Sequence, residues 1–239
     1  MERPVERRAA TRTAVVWEAC RRRLDGGAGT VVDIGGGTGG FAVRVAELGH
    51  HVTVVDPSPD ALAALDRRAR ESGVADLVEG RQGDLADIAD LVPAGSADLV
   101  LCHGVLGLVD DPAGALAAIR PLLRPRGTLS LLVGQQHAAV VGRAMAGHFQ
   151  QARELLESTE PAADHERRFT AAGLHRLLAE AGFDPVETHA VRVFTDLVPA
   201  ALLDLEPGAV EGLLDLERAV ADRPEYLTLA AQVHVLATC

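Results

Sequence analysis

Three apolar segments of this chain each run into an acid, and the first also breaks into glycine: Val31-Val32-Asp33-Ile34 is followed by Gly35-Gly36-Gly37-Thr38-Gly39-Gly40. Glycine lets the backbone turn sharply and approach a ligand with no Cβ in the way, and a helix after the turn presents unpaired N–H groups. A second segment ends at Asp56, and a third is followed by Gly83-Asp84-Leu85. Strands alternating with helices pack as a parallel sheet covered on both faces, with ligands at the carboxyl ends of its strands. The chain is therefore restricted to an α/β architecture with a nucleoside cofactor at the top of the sheet.

The pattern predicts strands at 30–34, 51–55, 77–80, 97–102 and 128–133, and helices at 4–25 and 39–48. Ser58 and Asp111 stand as N-caps, each followed by a proline suited to the first helical position, Pro59 and Pro112. Reading Asp110-Asp111-Pro112 as a cap leaves no need for a metal there. A helix is expected over 138–156, a polar loop over 157–166, and a helix from Thr170 to Glu180 stopped by Gly182. Two last strands are expected at 185–194 and 226–238, with a helix at 210–221 between them. The organisation expected is one domain over 1–239, with an N-terminal helix at 4–25 and a lid or substrate-side insertion over 135–168.

Composition narrows the chemistry. All 23 basic residues are arginine, which excludes Schiff-base lysines and the phosphate-gripping lysine of a P-loop. A formal net charge of −11 opposes a broad surface for nonspecific nucleic-acid binding. Cys20, Cys102 and Cys239 are too few and too dispersed for a disulfide framework or a zinc site. No apolar run reaches the roughly 20 residues of a membrane span, and the arginine-rich start lacks the apolar core of a secretory signal, so a cytoplasmic protein is expected.

Gly35, Gly37 and Gly40 also fit the dinucleotide fingerprint, with Asp56 at a distance suited to a ribose. Asp33 shifts the balance. A carboxylate there would repel a pyrophosphate and attract an ammonium, and Asp84 could accept from an adenine amino group. Together they favour S-adenosylmethionine, whose product is S-adenosylhomocysteine.

The stretches 31–39, 52–56, 83–85 and 122–132 resemble those of class I S-adenosylmethionine-dependent methyltransferases. That resemblance implies a doubly wound, Rossmann-like sheet of seven strands, the last antiparallel. A narrower resemblance runs nearly end to end, through 12–17, Cys102-His103-Gly104-Val105-Leu106, Leu123-Arg124-Pro125, Leu129-Ser130-Leu131, Ala146-Gly147-His148-Phe149, Val191-Arg192-Val193-Phe194 and 225–229. In these segments the chain is similar to bacterial tRNA 5-carboxymethoxyuridine methyltransferases, which esterify a carboxylate on the wobble uridine. The resemblance implies Arg12 on the cofactor's carboxylate, Gly35 and Gly36 at its backbone, Asp56 on the ribose, Gln82 and Gly83 beside the adenine, and His103 near its centre. The motif reading adds Asp33, Gly37, Gly39, Asp84 and Leu85 to the cofactor set.

Methyl transfer is an in-line displacement, and a general base is needed only where the acceptor must lose a proton. His103 and His137, after the fourth and fifth strands, are the candidate bases. A carboxylate acceptor needs instead a cationic clamp, and a forked guanidinium suits it best. Arg192 is the first candidate and Arg143 the second. Glu154, Glu157, Glu160, Asp164 and Glu166 would repel RNA, and aromatic residues make up 3% of the chain, leaving few rings for a flipped base. A small-molecule acceptor therefore stands beside a modified tRNA, and a SAM-binding regulator without catalysis is the third possibility.

Overall fold

The apolar runs become strands where both faces are covered. The computed structural model describes residues 4–157, 167–205 and 208–239, with backbone only at 4–12, 200, 204 and 205. β1 (Thr30–Ile34), β2 (His51–Asp56), β3 (Val78–Gln82), β4 (Ala97–His103), β5 (Leu123–Gly134), β6 (Asp184–Val191) and β7 (Gln232–Thr238) form one sheet in the order β3-β2-β1-β4-β5-β7-β6. The pairings of β1 with β2 and β4, of β2 with β3 and of β4 with β5 are parallel, whereas β7 runs antiparallel to β5. Val31, Val54, Val100, Leu101 and Leu129 are buried in the inner strands, as expected of a sheet with helices on both faces. β3, at an edge, reads Val-Glu-Gly-Arg-Gln, with Glu79 exposed and paired to a half-buried Arg81, and these charges blunt that edge against further pairing.

The strand order reverses between β1 and β4, so the crevice for a ligand opens where the chain leaves these two strands. The capping residues read from the sequence sit as expected. The Ser58 hydroxyl accepts from the Ala61 N–H at 3.2 Å at the start of α3 (Pro59–Glu71), after α1 (Pro4–Leu24) and α2 (Ala42–Ala46). Asp111 accepts from the Gly114 N–H at 3.0 Å at the start of α5 (Pro112–Ile119), which follows the single turn α4 (Ile88–Leu91).

Several boundaries depart from expectation. α2 begins at Ala42 rather than at residue 39, because the glycine turn continues through Thr38-Gly39-Gly40. β5 begins at Leu123, five residues before 128, with a register shift against β4 between Ala97 and Leu99. The helix expected over 138–156 is two helices, α6 (Gln136–Met145) and α7 (Phe149–Glu157). Gly147 enters the left-handed region at φ 80°, and the His148 N–H turns back to the Arg143 carbonyl, so the helix stops as glycine-terminated helices do. The last strand begins at Gln232, because Pro224–Tyr226 forms a 3-10 turn and the Leu229 and Ala230 N–H groups close on the Tyr226 carbonyl. α8 (Ala171–Glu180), α9 (Ala200–Leu205) and α10 (Ala209–Ala221) complete the described elements. The polar loop expected over 157–166 lies outside the described residues from 158 onward.

Cys20–Leu132, His175–Glu187 and Val235–Cys239 make one compact unit, and Met1–Ala19, Val133–Leu174 and Thr188–His234 make another. The first carries β1 to β4 with α2 to α5. Inside the second, Ala190, Val193, Val220 and Ala230 form a small apolar cluster, with Phe194, Tyr226 and Leu227 packed on it. Among the described residues, no helix is long and apolar enough to cross a membrane.

Candidate active site

The glycine turn is shaped by what lies beneath it. Gly35 has φ 68°, and a Cβ there would stand 2.3 Å from the Val105 side chain. At Gly36 a Cβ would come within 2.5 Å of an Asp33 carboxylate oxygen and 2.9 Å of Val54. The turn is thus laid directly over the Asp33 carboxylate, closer than any side-chain-bearing residue allows. Gly37 and Gly39 also have positive φ, at 56° and 79°.

Asp33 is 3% exposed, and its carboxyl is pushed up to about 7, first by burial and then by the charge of Asp56. A cation placed over the turn would relieve both influences. Asp56 anchors the same turn: one carboxylate oxygen accepts from the Gly37 N–H and the other from the Ser58 N–H, each at 2.9 Å. Each oxygen keeps a further lone pair for a hydroxyl donor. At the end of β3 the Gln82 side chain donates to the Pro57 carbonyl at 3.3 Å, and the Gly83 N–H donates to the Asp56 carbonyl. Asp84 is exposed and accepts from the Ala86 N–H at 2.7 Å, while Leu85 is buried beneath it. The acids at the ends of β1, β2 and β3 and the glycine turn therefore belong to one compact unit.

His103, at the end of β4, bonds through Nε2 to the Ser130 hydroxyl at 2.8 Å and stands edge-on to Phe41. Burial pushes its imidazole down to about 4, so at neutral pH it is uncharged and a weak base. His137 is exposed on the first turn of α6. Its N–H donates to the Gln135 side chain, and it is absent from the lining of the cavity described next. Arg12 falls where only backbone is described.

The second unit holds a cavity of about 1240 Å³. Arg143, Arg168 and Arg192 line it, with Glu154 and Asp196. Much of the remaining wall is apolar, including Val141, Met145, Phe194, Leu197 and Leu229. Arg143 donates to the Gln151 side chain at 3.1 Å. Arg168 is seated by a glycine, since a Cβ on Gly134 would lie 2.9 Å from its guanidinium. Arg192 grips Asp196 with a fork: Nε donates to one carboxylate oxygen at 3.3 Å and Nη2 donates to the other. Nη1 lies 3.4 Å from the Gln232 side-chain oxygen.

Arg192 is not on a strand as the sequence suggests. β6 ends at Val191, and Arg192 takes a left-handed φ of 60°, a conformation that costs a residue with a side chain about 1 kcal/mol or more. The following residues are held by Glu217, which is 2% exposed on α10. Its carboxylate accepts from the N–H groups of Val193, Phe194 and Thr195 at 3.0, 2.9 and 2.8 Å, and from the Thr195 hydroxyl at 2.6 Å. α10 is thus no mere connector. Sequence reasoning missed Glu217 because one acid in a charged helix has no distinguishing spacing, and only its apolar helical neighbours hint that it faces inward. Gln135 was missed as well: it is 1% exposed and donates to the Leu227 carbonyl at 2.9 Å.

A sheet of this order, with a glycine turn after β1 and acids ending β1 to β3, defines an S-adenosylmethionine-dependent methyltransferase, in agreement with the class and fold expected from sequence. Residues 2–188 match the family model described as a methyltransferase domain, and the chain belongs to that family. It is 30% identical over 210 residues to the tRNA 5-carboxymethoxyuridine methyltransferase of Escherichia coli (strain K12), covering 87% of this chain and 78% of that one. Over 137 residues it is 34% identical to the ubiquinone biosynthesis O-methyltransferase of Xanthomonas axonopodis pv. citri (strain 306), covering 57% of this chain and 56% of that one. Its fold matches a crystal structure of an S-adenosylmethionine-dependent methyltransferase from Mesorhizobium loti with TM-score 0.62 at 20% identity, over 96% of this chain and 100% of that one.

Proposed function

We propose that this methyltransferase transfers the methyl group to a carboxylate oxygen, with the cofactor on the glycine-turn unit and the acceptor in the arginine-lined cavity. The observation that carries the reading is Arg192, whose fork already holds a carboxylate at the cavity wall. A buried acid beneath the turn, raised in pKa by burial and by the charge of Asp56, fits an ammonium-bearing cofactor better than a pyrophosphate. In this reading Asp33 serves the cofactor's ammonium through the turn, Gly35, Gly36, Gly37 and Gly39 admit its backbone, and Asp56 takes the ribose. Gln82, Gly83, Asp84 and Leu85 flank the adenine, and Arg12 meets the carboxylate. Bound there, the cofactor supplies an electrophilic methyl on a sulfonium and becomes S-adenosylhomocysteine when the methyl carbon has gone.

A carboxylate acceptor has its lone pair ready and no proton to lose, which agrees with a His103 too weakly basic to take one and a His137 outside the cavity. His103 is then an uncharged wall of the cofactor site. The tRNA methyltransferase relative is named for a carboxymethoxy-bearing nucleoside, which supports the same chemistry. The test is the lability of the label. Methyl-labelled S-adenosylmethionine is incubated with the protein and tRNA carrying 5-carboxymethoxyuridine, and in parallel with simple carboxylic acids. An ester releases its label as methanol in mild alkali; a label stable to alkali would mark an acceptor other than a carboxylate and sink the carboxylate reading.

A further inference from the structure

Resting on the carboxylate reading, we infer that the acceptor is an amphipathic acid: one carboxylate for Arg192 and an extended apolar body for the rest of the cavity. The arginine fork and its occupant are both present, since Asp196 accepts from Nε and Nη2 along one edge of the Arg192 guanidinium as a substrate carboxylate would. Asp196 is a placeholder that an incoming acid displaces. What lies around it is not built for phosphates. Glu154 and Asp196 share the wall with Arg143, Arg168 and Arg192, so its charge is nearly balanced and suits one carboxylate better than a run of phosphates.

The wall instead offers apolar surface. Met145 is 66% exposed, Leu229 53%, Leu197 48% and Val141 44%, all lining the same cavity. Phe194 and His148 carry the only rings among the described lining residues, which is little on which to stack an unpaired base. At about 1240 Å³ the cavity exceeds the roughly 300–1,000 Å³ of ordinary small-molecule sites, so a short acid such as acetate would leave most of it wet. An apolar body covering these four side chains removes them from water and sets the affinity.

The experiment is calorimetric titration of the full chain, saturated with S-adenosylhomocysteine, by butanoate, hexanoate, octanoate and decanoate, and by methyl decanoate. Each buried methylene is worth about a three- to fourfold gain, so decanoate should bind at least about a hundredfold more tightly than butanoate, and the ester should lose most of that affinity. Asp196→Asn should tighten decanoate binding severalfold, and Arg192→Met should weaken it by tenfold or more, both with S-adenosylhomocysteine binding unchanged. Equal affinity for butanoate and decanoate, or for acid and ester, overturns the inference. So does an anticodon stem-loop RNA bearing 5-carboxymethoxyuridine that displaces decanoate and binds tenfold more tightly. That last outcome leaves the carboxylate reading standing, whereas an alkali-stable methyl product removes the reading itself.

Discussion

The glycine-turn unit and the cavity unit organise their polar groups in opposite ways. Around the turn, the partners of a buried group come from the ends of adjacent strands: Asp56 holds Gly37 and Ser58, and Gly83 donates back to Asp56. In the cavity unit they come from distant segments, with Glu217 gripping 193–195 and Gln135 donating to Leu227. The first arrangement follows from parallel pairing, which brings strand ends together wherever the strands form. The second exists only once α10 and the 224–231 turn have docked, so each such contact depends on the packing of the whole unit.

The contrast predicts where substitutions hurt. Glu217→Ala leaves four donors without their acceptor, the Val193 N–H buried and the other three part-buried, and at about 1–3 kcal/mol for a buried unmet donor and less for the rest it should cost about 2 kcal/mol or more of stability, read by urea denaturation. If the loss is under about 1 kcal/mol, the long-range staple does not hold this unit. Asp56→Ala should leave decanoate binding intact and weaken S-adenosylhomocysteine by about a hundredfold, near 3 kcal/mol, by calorimetry. Equal loss at both ligands would erase the distinction between the units.

A pH series sharpens the comparison on the cofactor side. Asp33 must be ionised to receive an ammonium, and its carboxyl lies at about 7. Cofactor affinity should therefore fall by up to about tenfold per pH unit below 7 and level off above it. Asp33→Asn should flatten that slope, and a wild-type affinity flat from pH 5 to 8 would exclude Asp33 as the ammonium's partner. Stability carries the same signature with two signs. Asp33, raised from 3.8 to about 7, keeps a proton in the folded state that the unfolded chain loses, so its contribution is lost as pH rises from about 4 to 7. His103, lowered from 6.5 to about 4, does the reverse, and its contribution is gained as pH rises from about 4 to 6.5. The wild-type curve should be shallow, and Asp33→Asn should expose the His103 rise. The smallest effect is expected at the exposed pair of Arg153 with Glu157 on α7, where Arg153→Ala should change stability by less than about 0.5 kcal/mol.

Legibility in the sequence follows the same division. The strands, the caps at Ser58 and Asp111 and the acids after β1, β2 and β3 were readable because each depends on residues a few positions apart, or on strand ends that any parallel sheet gathers. The end of β6 was not readable. Val191-Arg192-Val193-Phe194 has apolar residues in strand-like alternation, yet Arg192 turns left-handed because Glu217, 24 positions beyond Val193, captures the next three N–H groups. The break between α6 and α7 was half visible in Gly147, whose cost inside a helix is small enough that only the structure shows it as a stop.

By itself the sequence determined the sheet, the helices on its faces, the glycine turn after β1, and the acids around it. Periodicity and glycine act over short stretches and need no knowledge of the rest of the chain. Tertiary structure alone decided that Asp33 is buried under Gly36, so that its proton is held to about neutrality, and that burial lowers the His103 imidazole to about 4. It also gathered Arg143, Arg168 and Arg192 around one apolar cavity. Burial and charge proximity set a group's protonation and partners, and both are sums over neighbours that the linear order does not specify.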